Sequence, residues 1–367
     1  MQEEICRTVA ALFDLGGEVF EVHPIKRGHI NETWVSTVAT SLGRRRFIHQ
    51  RINDAIFRDV PGLMENIRRV TAHLRERIAR GGVPGETCLE MVPTSTGALY
   101  LADPSLGSWR TYAYIEESEA FDVCTGPGLA REAAETLGRF TRDLLDLDPA
   151  TLIEPLPGFQ DTGLRLDQLA AAAGADRVGR VASAQAQLAF VAEHSHLGRV
   201  LTEERLRGTL PIRVCHGDLK LNNVLFSRAT GRGIAVVDLD TCMPGTILYD
   251  FGDLVRCTSV PVAEDEPDPT RVRVDLTLFE ALAEGYLGTL RAALTPAERA
   301  LLARAPQFLA FTLGVRFLAD YLNGDTYFRI AHPDHNLQRA KTQFRIVECF
   351  LEQEGEMTRI IEGALER

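Results

Sequence analysis

The sequence predicts an α+β fold in two parts: a small strand-rich N-terminal lobe and a larger, mainly helical C-terminal lobe. Three observations carry this. Short apolar runs bounded by turn residues crowd the chain before residue 116. From Leu129 onward, apolar residues recur at three- and four-residue spacings instead. One island of strand, residues 212–237, interrupts that helical part.

Taken in order, Phe20–Pro24, Trp34–Ala39 and Arg45–Ile52 read as strands, with turn chemistry at Lys26-Arg27-Gly28-His29 and Ser41-Leu42-Gly43. Leu63, Ile67, Val70, Leu74 and Ile78 line one face of a helix over Leu63–Ala79. Cys88–Val92 and Leu99–Leu101 read as a hairpin, and Trp109–Ile115 as a further strand, so this lobe mixes one helix with several strands. Leu129 through Leu147 form an amphipathic helix ended by Asp148-Pro149. Leu156-Pro157-Gly158-Phe159 is a linker, followed by helix from Leu164 and from Ala182 to His194. Ile212–Cys215, Val224–Phe226 and Ile234–Val237 are strands, and after Asp265–Pro269 the chain is helical almost to its end. The lobe boundary falls near Glu116, giving residues 1–115 to the N-lobe and 116–367 to the C-lobe.

Composition narrows the class. The 367 residues are 45% hydrophobic and 25% charged, enough to bury a core without disulfide or metal staples. No apolar run reaches the ~20 residues of a membrane span, and the N-terminus lacks a basic start followed by an apolar stretch. The expected compartment is therefore the cytoplasm. Seven cysteines without a CxxC pair read as reduced thiols. A net charge of −11 argues against nucleic-acid binding, which needs basic patches.

The chemistry concentrates between Val214 and Asp240. Two apolar strands flank the polar loop His216-Gly217-Asp218-Leu219-Lys220-Leu221-Asn222-Asn223, and a third strand ends in Asp238-Leu239-Asp240. Asp218 can serve as a base, with Asn223 and Asp238 as oxygen ligands for a hard cation such as Mg²⁺. Phosphoryl transfer needs this set: a carboxylate to orient the attacking hydroxyl and a metal to neutralise phosphate charge.

His216-x-Asp218-x-x-x-x-Asn223, with Asp238 fifteen residues further on, resembles the motifs of the aminoglycoside phosphotransferase-like kinases. The resemblance implies a protein-kinase-like two-lobe fold, ATP and Mg²⁺ as cofactors, Asp218 as catalytic base, Asn223 and Asp238 as metal ligands, and a bracing role for His216. Gly28–Thr33, Gln50–Asn53, Asp238–Gly245, Tyr249–Asp253 and Arg316–Asp325 further look like the N-acetylhexosamine 1-kinase branch. By that resemblance Gly28, His29, Ile30, Asn31 and Thr33 belong to the loop over the ATP phosphates. The phosphate-binding lysine is missing from Phe47–Ile52. Gln50 or Arg51 must stand there, on opposite strand faces, with Glu65 either the partner of that residue or a solvated helix acid. Tyr114, Ile115 and Glu116 form the adenine connector. Asp240 supports the metal ligands from behind, holds a second metal or caps a turn, and Asp250 and Asp253 brace the catalytic loop. Arg316 and Tyr327 contact the sugar together with Asp218; Asp320 and Asp325 are hydroxyl acceptors or helix-end and turn acids. His194-Ser195-His196 and His332-Pro333-Asp334-His335 lack zinc-site spacing and read as surface loops.

The function so implied is ATP-dependent phosphorylation of a small-molecule sugar, at the anomeric hydroxyl of N-acetylhexosamine or a related hexose, with no nucleic-acid or membrane partner. The alternatives are a kinase for a cationic antibiotic or amino alcohol, which the acidic segment Glu264–Asp268 would suit, and a nucleotide-binding pseudokinase.

Overall fold

The computed structural model describes residues 2–25, 30–41 and 43–366. Two compact units emerge: one gathers Met1–Glu119, Ala150–Pro157 and Leu225–Met243, the other Ala120–Pro149, Gly158–Val224 and Pro244–Arg367.

The first unit opens with a helix absent from the sequence reading, α1 (Gln2–Ala10), followed by β1 (Gly17–Ile25), β2 (Glu32–Thr40) and β3 (Gly43–Arg51). Then come α2 (Val60–Gly81), β4 (Met91–Val92), β5 (Leu101–Asp103), β6 (Gly107–Ala113) and β7 (Ser118–Glu119). The antiparallel sheet runs β1-β2-β3-β6-β4, with β5 also on β6. Alternation sets its faces. Trp34 and Val38 of β2, Phe47 of β3 and Trp109 of β6 join Cys6, Val9 and Phe13 from the N-terminal segment in one core. His49 is buried there, bonded to the hydroxyls of Ser36 (2.7 Å) and Thr111 (2.9 Å). Burial lowers its pKa to about 4.

The expected hairpin of Cys88–Val92 with Leu99–Leu101 does not form. Both arms pair with β6 instead, at Met91↔Tyr112 and Leu101↔Trp109. The tight turn lies between β5 and β6, where Asp103 accepts the Ser105 and Leu106 N–H groups. β6 is buried from Trp109 to Tyr112, so its ladder is the one that both short strands complete. α2 follows its apolar period, burying Leu63, Met64, Ile67, Val70 and Leu74, and is capped by Asp59, which accepts the Gly62 N–H at 2.9 Å.

The chain continues through α3 (Pro127–Asp143), α4 (Thr162–Ala175), α5 (Gln185–His194), α6 (Leu197–Leu206), β8 (Arg213–Cys215), β9 (Val224–Ser227) and β10 (Gly233–Val236). It ends in α7 (Ile247–Thr258), α8 (Leu276–Leu290), α9 (Pro296–Leu301), α10 (Ala305–Leu322) and α11 (His335–Glu366). β9 and β10 extend the first unit, pairing through β9 with β7 at Glu119↔Phe226. α7 packs against the start of α10 so closely that a Cβ on Gly252 would lie 2.6 Å from the Ala305 carbonyl oxygen, which explains the glycine inside Tyr249–Asp253. Pro296–Leu322, in the second unit, is long and apolar enough to cross a bilayer, contrary to the sequence reading, and most of its apolar stretch is buried.

Neither histidine pair is a plain surface loop. His194 ends α5 and stacks on Phe190 at 4.1 Å, and His335 is buried at the start of α11 against Asp265. Among the described residues, no group of three His, Cys, Asp or Glu side chains could hold a metal ion by itself.

Candidate active site

In the second unit the loop after β8 is held from beneath. Asp250 of α7 accepts the backbone N–H groups of His216 and Gly217, both at 2.8 Å. Burial raises its pKa to about 6, against the pull of His216 and those two N–H groups. Gly217 has φ +82°, a conformation that a side chain would strain. The His216 ring is fully buried, edge-on to Phe140, and its Nδ1 accepts the Asp218 N–H at 3.3 Å. The loop is therefore braced from two sides before Asp218 is reached.

Asp218 is partly exposed, and its Oδ2 lies 2.6 Å from the Lys220 ammonium. Burial opposes its charge, yet Lys220, His216 and Arg256 outweigh that penalty and hold the carboxyl below its ordinary pKa. Lys220 is in turn raised by Asp218 despite its own burial. The sequence reading passed over this lysine, although its position two residues after the base was the available signal. Asn223 is buried and donates Nδ2 to the Asp218 carbonyl at 2.8 Å, which leaves its side-chain oxygen as an acceptor.

In the first unit Asp238 follows β10 in a left-handed conformation (φ 64°, ψ 57°), and its side chain is exposed. Asp240 is buried and bonded to Arg110 and Asn31. Gln50 faces the same way, accepting from Arg110 Nε at 2.9 Å and donating to Thr33 at 3.3 Å. Arg51 is exposed and pairs with Glu32. Glu65 pairs with Arg68 and Arg69 on its own helix, and its hydrogen bond to Arg68 pulls its pKa to about 2, so it is a solvated helix acid. The buried polar residue of α2 is its neighbour Asn66, which donates to the carbonyls of Ile153 (2.9 Å) and Cys242 (3.0 Å).

The Ile30 carbonyl accepts from Asn53 at 3.4 Å; Gly28 and His29 lie outside the described residues. In the connector, Arg46 stacks on Tyr114 (3.9 Å) and pairs with Glu116. The Tyr114 N–H goes to the Arg46 carbonyl, and the Ile115 carbonyl accepts from Ser118.

Arg316 and Tyr327 are brought together. The Arg316 guanidinium lies 5.0, 5.6 and 5.4 Å from the ring centroids of Phe159, Tyr327 and Phe328, and no carboxylate pairs with it among the described residues. Burial lowers its pKa although Tyr327 and Asp218 pull the other way. Arg165 is nearby, donating to the Gly158 carbonyl at 3.0 Å and repelled by Arg316. Asp320 does not offer its oxygens to a ligand. It accepts the N–H groups of Thr326, Tyr327 and Phe328 and the amide of Asn336, and so shapes the turn that presents Tyr327. Asp325 is likewise taken by Arg180 and Asn336.

The acids of 264–268 are engaged as well. Glu264 faces Arg339 (3.5 Å), Asp265 faces His335 (3.0 Å), Glu266 pairs with Arg271 (2.9 Å) and Asp268 caps Thr270.

Taken singly, the Asn223 amide oxygen in the second unit and the exposed Asp238 carboxylate in the first are each hard oxygen donors of the kind Mg²⁺ takes.

Comparison with known proteins bears on the family and the fold. The family model described as the phosphotransferase enzyme family matches residues 21–311. The chain resembles the crystal structure of an aminoglycoside phosphotransferase from Alicyclobacillus acidocaldarius at TM-score 0.61 and 14% identity, covering 97% of this chain and 96% of that one. It resembles choline kinase from Cryptosporidium parvum at TM-score 0.56 and 13% identity, covering 99% and 97%. A spectinomycin phosphotransferase solved with ADP and spectinomycin gives TM-score 0.54 at 13% identity, covering 92% and 94%. At these identities the likeness is one of fold, which bears out the α+β architecture of an antiparallel N-terminal sheet followed by a mainly helical region.

Proposed function

The chain belongs to the phosphotransferase enzyme family, and we propose that it moves the terminal phosphoryl group of ATP to a hydroxyl of a neutral, acyl-bearing sugar. N-acetylhexosamine or a related hexose, phosphorylated at its anomeric hydroxyl, is the acceptor this reading names. Asp218, kept ionised by Lys220, orients the acceptor hydroxyl and takes its proton. Asn223 and Asp238 would each offer Mg²⁺ an oxygen ligand. The ion, when bound, neutralises charge on the β- and γ-phosphates. Of the two candidates on β3, Gln50 is tied to Arg110 and Thr33, and Arg51 is exposed beside Glu32. In the connector, Tyr114, Ile115 and Glu116 take the adenine edge through backbone groups.

Arg316 carries the acceptor reading. A half-buried guanidinium among three rings, within electrostatic reach of Asp218, donates to ring hydroxyls or an acetamido carbonyl and repels ammonium groups. Of the acids that would suit an aminoglycoside or amino alcohol, Glu264 and Glu266 face Arg339 and Arg271, Asp265 bonds His335 and Asp268 bonds Thr270.

The test is a coupled nucleotide-hydrolysis screen over hexoses, N-acylated hexosamines, aminoglycosides and choline, with product analysis. Turnover of a neutral sugar and loss of its reducing activity on phosphorylation are expected. Arg316→Ala should raise KM for that sugar roughly ten- to a hundredfold and leave KM for ATP nearly unchanged. Efficient turnover of aminoglycosides with none of any sugar would overturn the reading.

A further inference from the structure

Segments distant in sequence meet on one guanidinium. Arg110, in the middle of β6, is 1% exposed. Its Nε donates to Gln50, its Nη2 to Asp240 Oδ2 at 2.8 Å, and its Nη1 lies 2.6 Å from Asp240 Oδ1. Asp240 Oδ2 also accepts from Asn31 Nδ2 at 2.7 Å, and Asn31 Oδ1 accepts the Asn53 N–H at 3.1 Å. Gln50 closes the circle by donating to Thr33.

This bonding removes two roles from the choice. Asp240 Oδ2 is hydrogen-bonded twice, while Oδ1 is buried against Arg110 Nη1 in ion-pair contact without a hydrogen bond of its own, so the carboxylate faces the guanidinium rather than open solvent. Arg110 is likewise spent on Gln50 and Asp240, and its burial keeps it from serving as an exposed phosphate contact.

What the pair supplies is geometry. A buried ion pair adds little net stability compared with apolar packing of equal volume. A bidentate fork, however, sets both the place and the orientation of the carboxylate it grips. Asp240 belongs to the tight turn Leu239–Thr241 that directly follows Asp238. Asp238 itself is left-handed and exposed, a costly conformation for a residue other than glycine that must be held by its surroundings. Asn31 stands three residues after Gly28, at the end of the loop assigned to the phosphates. β3 carries no lysine to organise these parts.

We propose that Arg110 is a positioning residue for phosphoryl transfer: its grip on Asp240 holds the Asp238 turn and the Asn31 end of the phosphate loop in one fixed arrangement. This rests on the reading of Asp238 as a metal acid. The consequence is selective. Loss of the grip should weaken the metal–nucleotide complex more than the nucleotide alone.

The experiment titrates the full chain by calorimetry with Mg·ATP and with ATP in EDTA, alongside steady-state kinetics and thermal melts. The variants are Arg110→Lys, the apolar pair Arg110→Met with Asp240→Leu, Asn31→Ala, and Asp238→Asn as control. Arg110→Lys and the apolar pair should weaken Mg·ATP by about ten- to a hundredfold, the usual effect of losing a group that orients a metal ligand. ATP in EDTA and KM for the acceptor should change less than about threefold, within the effect of a weak hydrogen bond. The apolar pair should melt close to wild type and still lack Mg·ATP affinity. If the apolar pair restores that affinity, or if ATP in EDTA weakens equally, Arg110 is only a buried ion pair and the proposal fails. Should the Arg110 variants not fold, Asn31→Ala reads the same contact and should weaken Mg·ATP about two- to tenfold; no change there also defeats the proposal. A loss in Asp238→Asn with none in the others overturns this proposal alone. No loss in Asp238→Asn overturns the metal reading and this inference with it.

Discussion

Asp218 and Asp250 are two carboxylates of one loop system, pushed in opposite directions by their neighbours. Lys220 keeps the first below its ordinary pKa, while burial raises the second to about 6. Asp218→Asn should retain the fold and nucleotide affinity but lower kcat by ~10²–10⁴, the usual loss for a general base; a rate within twofold of wild type would remove it from that role. The pH dependence follows from the second shift. Asp250 has a native pKa above its ordinary 3.8, so its neutral form favours folding. The stability it contributes is complete below about pH 4 and is lost as pH rises through about 6. Activity runs the other way, because the ionised form is the better acceptor for the His216 and Gly217 N–H groups. A fall in kcat below about pH 6 therefore reports Asp250, and pH–rate profiles should show that limb missing from a slower Asp250→Asn enzyme. A limb unchanged in that variant would assign it elsewhere.

At the level of elements, the Asp320 carboxylate near the end of α10 organises the segment that follows it. It gathers three successive backbone N–H groups, Thr326 to Phe328, and so turns Tyr327 toward Arg316 on the same helix. Asp320→Ala would take away the shared acceptor of these part-buried donors and loosen the turn. The expected result is a raised acceptor KM with little change in KM for ATP, checked by steady-state kinetics; equal effects on both would show general unfolding instead. Much of this level was legible beforehand. The 3.6-residue apolar period of α2 and the alternation of β2 and β3 follow from burying one face of each element. The pairing of β4 and β5 was not legible, because short strands carry no register of their own and take it from the buried strand that accepts them.

For the molecule as a whole, a net charge of −11 attracts any cation, substrate or not. Aminoglycosides should therefore associate weakly at low ionic strength without being phosphorylated, and lose that association near ~0.15 M salt, where the Debye length is about 8 Å. KM for a neutral sugar should stay flat over the same range. Kinetics at several salt concentrations separate the two, and a sugar KM that rises with salt would contradict a neutral acceptor.

The sequence by itself determined most of the long elements, the order of the motifs and the loop from His216 to Asn223, since these depend on local periodicity and fixed spacing. Tertiary structure alone decided which polar side chains are free to act. Asp240, Asp320 and the acids of 264–268 look like ligands when read along the chain, yet each is satisfied by a partner distant in sequence or across a turn. Arg110 and Asn66 carry no local signature at all. A buried polar group acquires its role from the partner that offsets its desolvation, and that partner is brought to it by the fold.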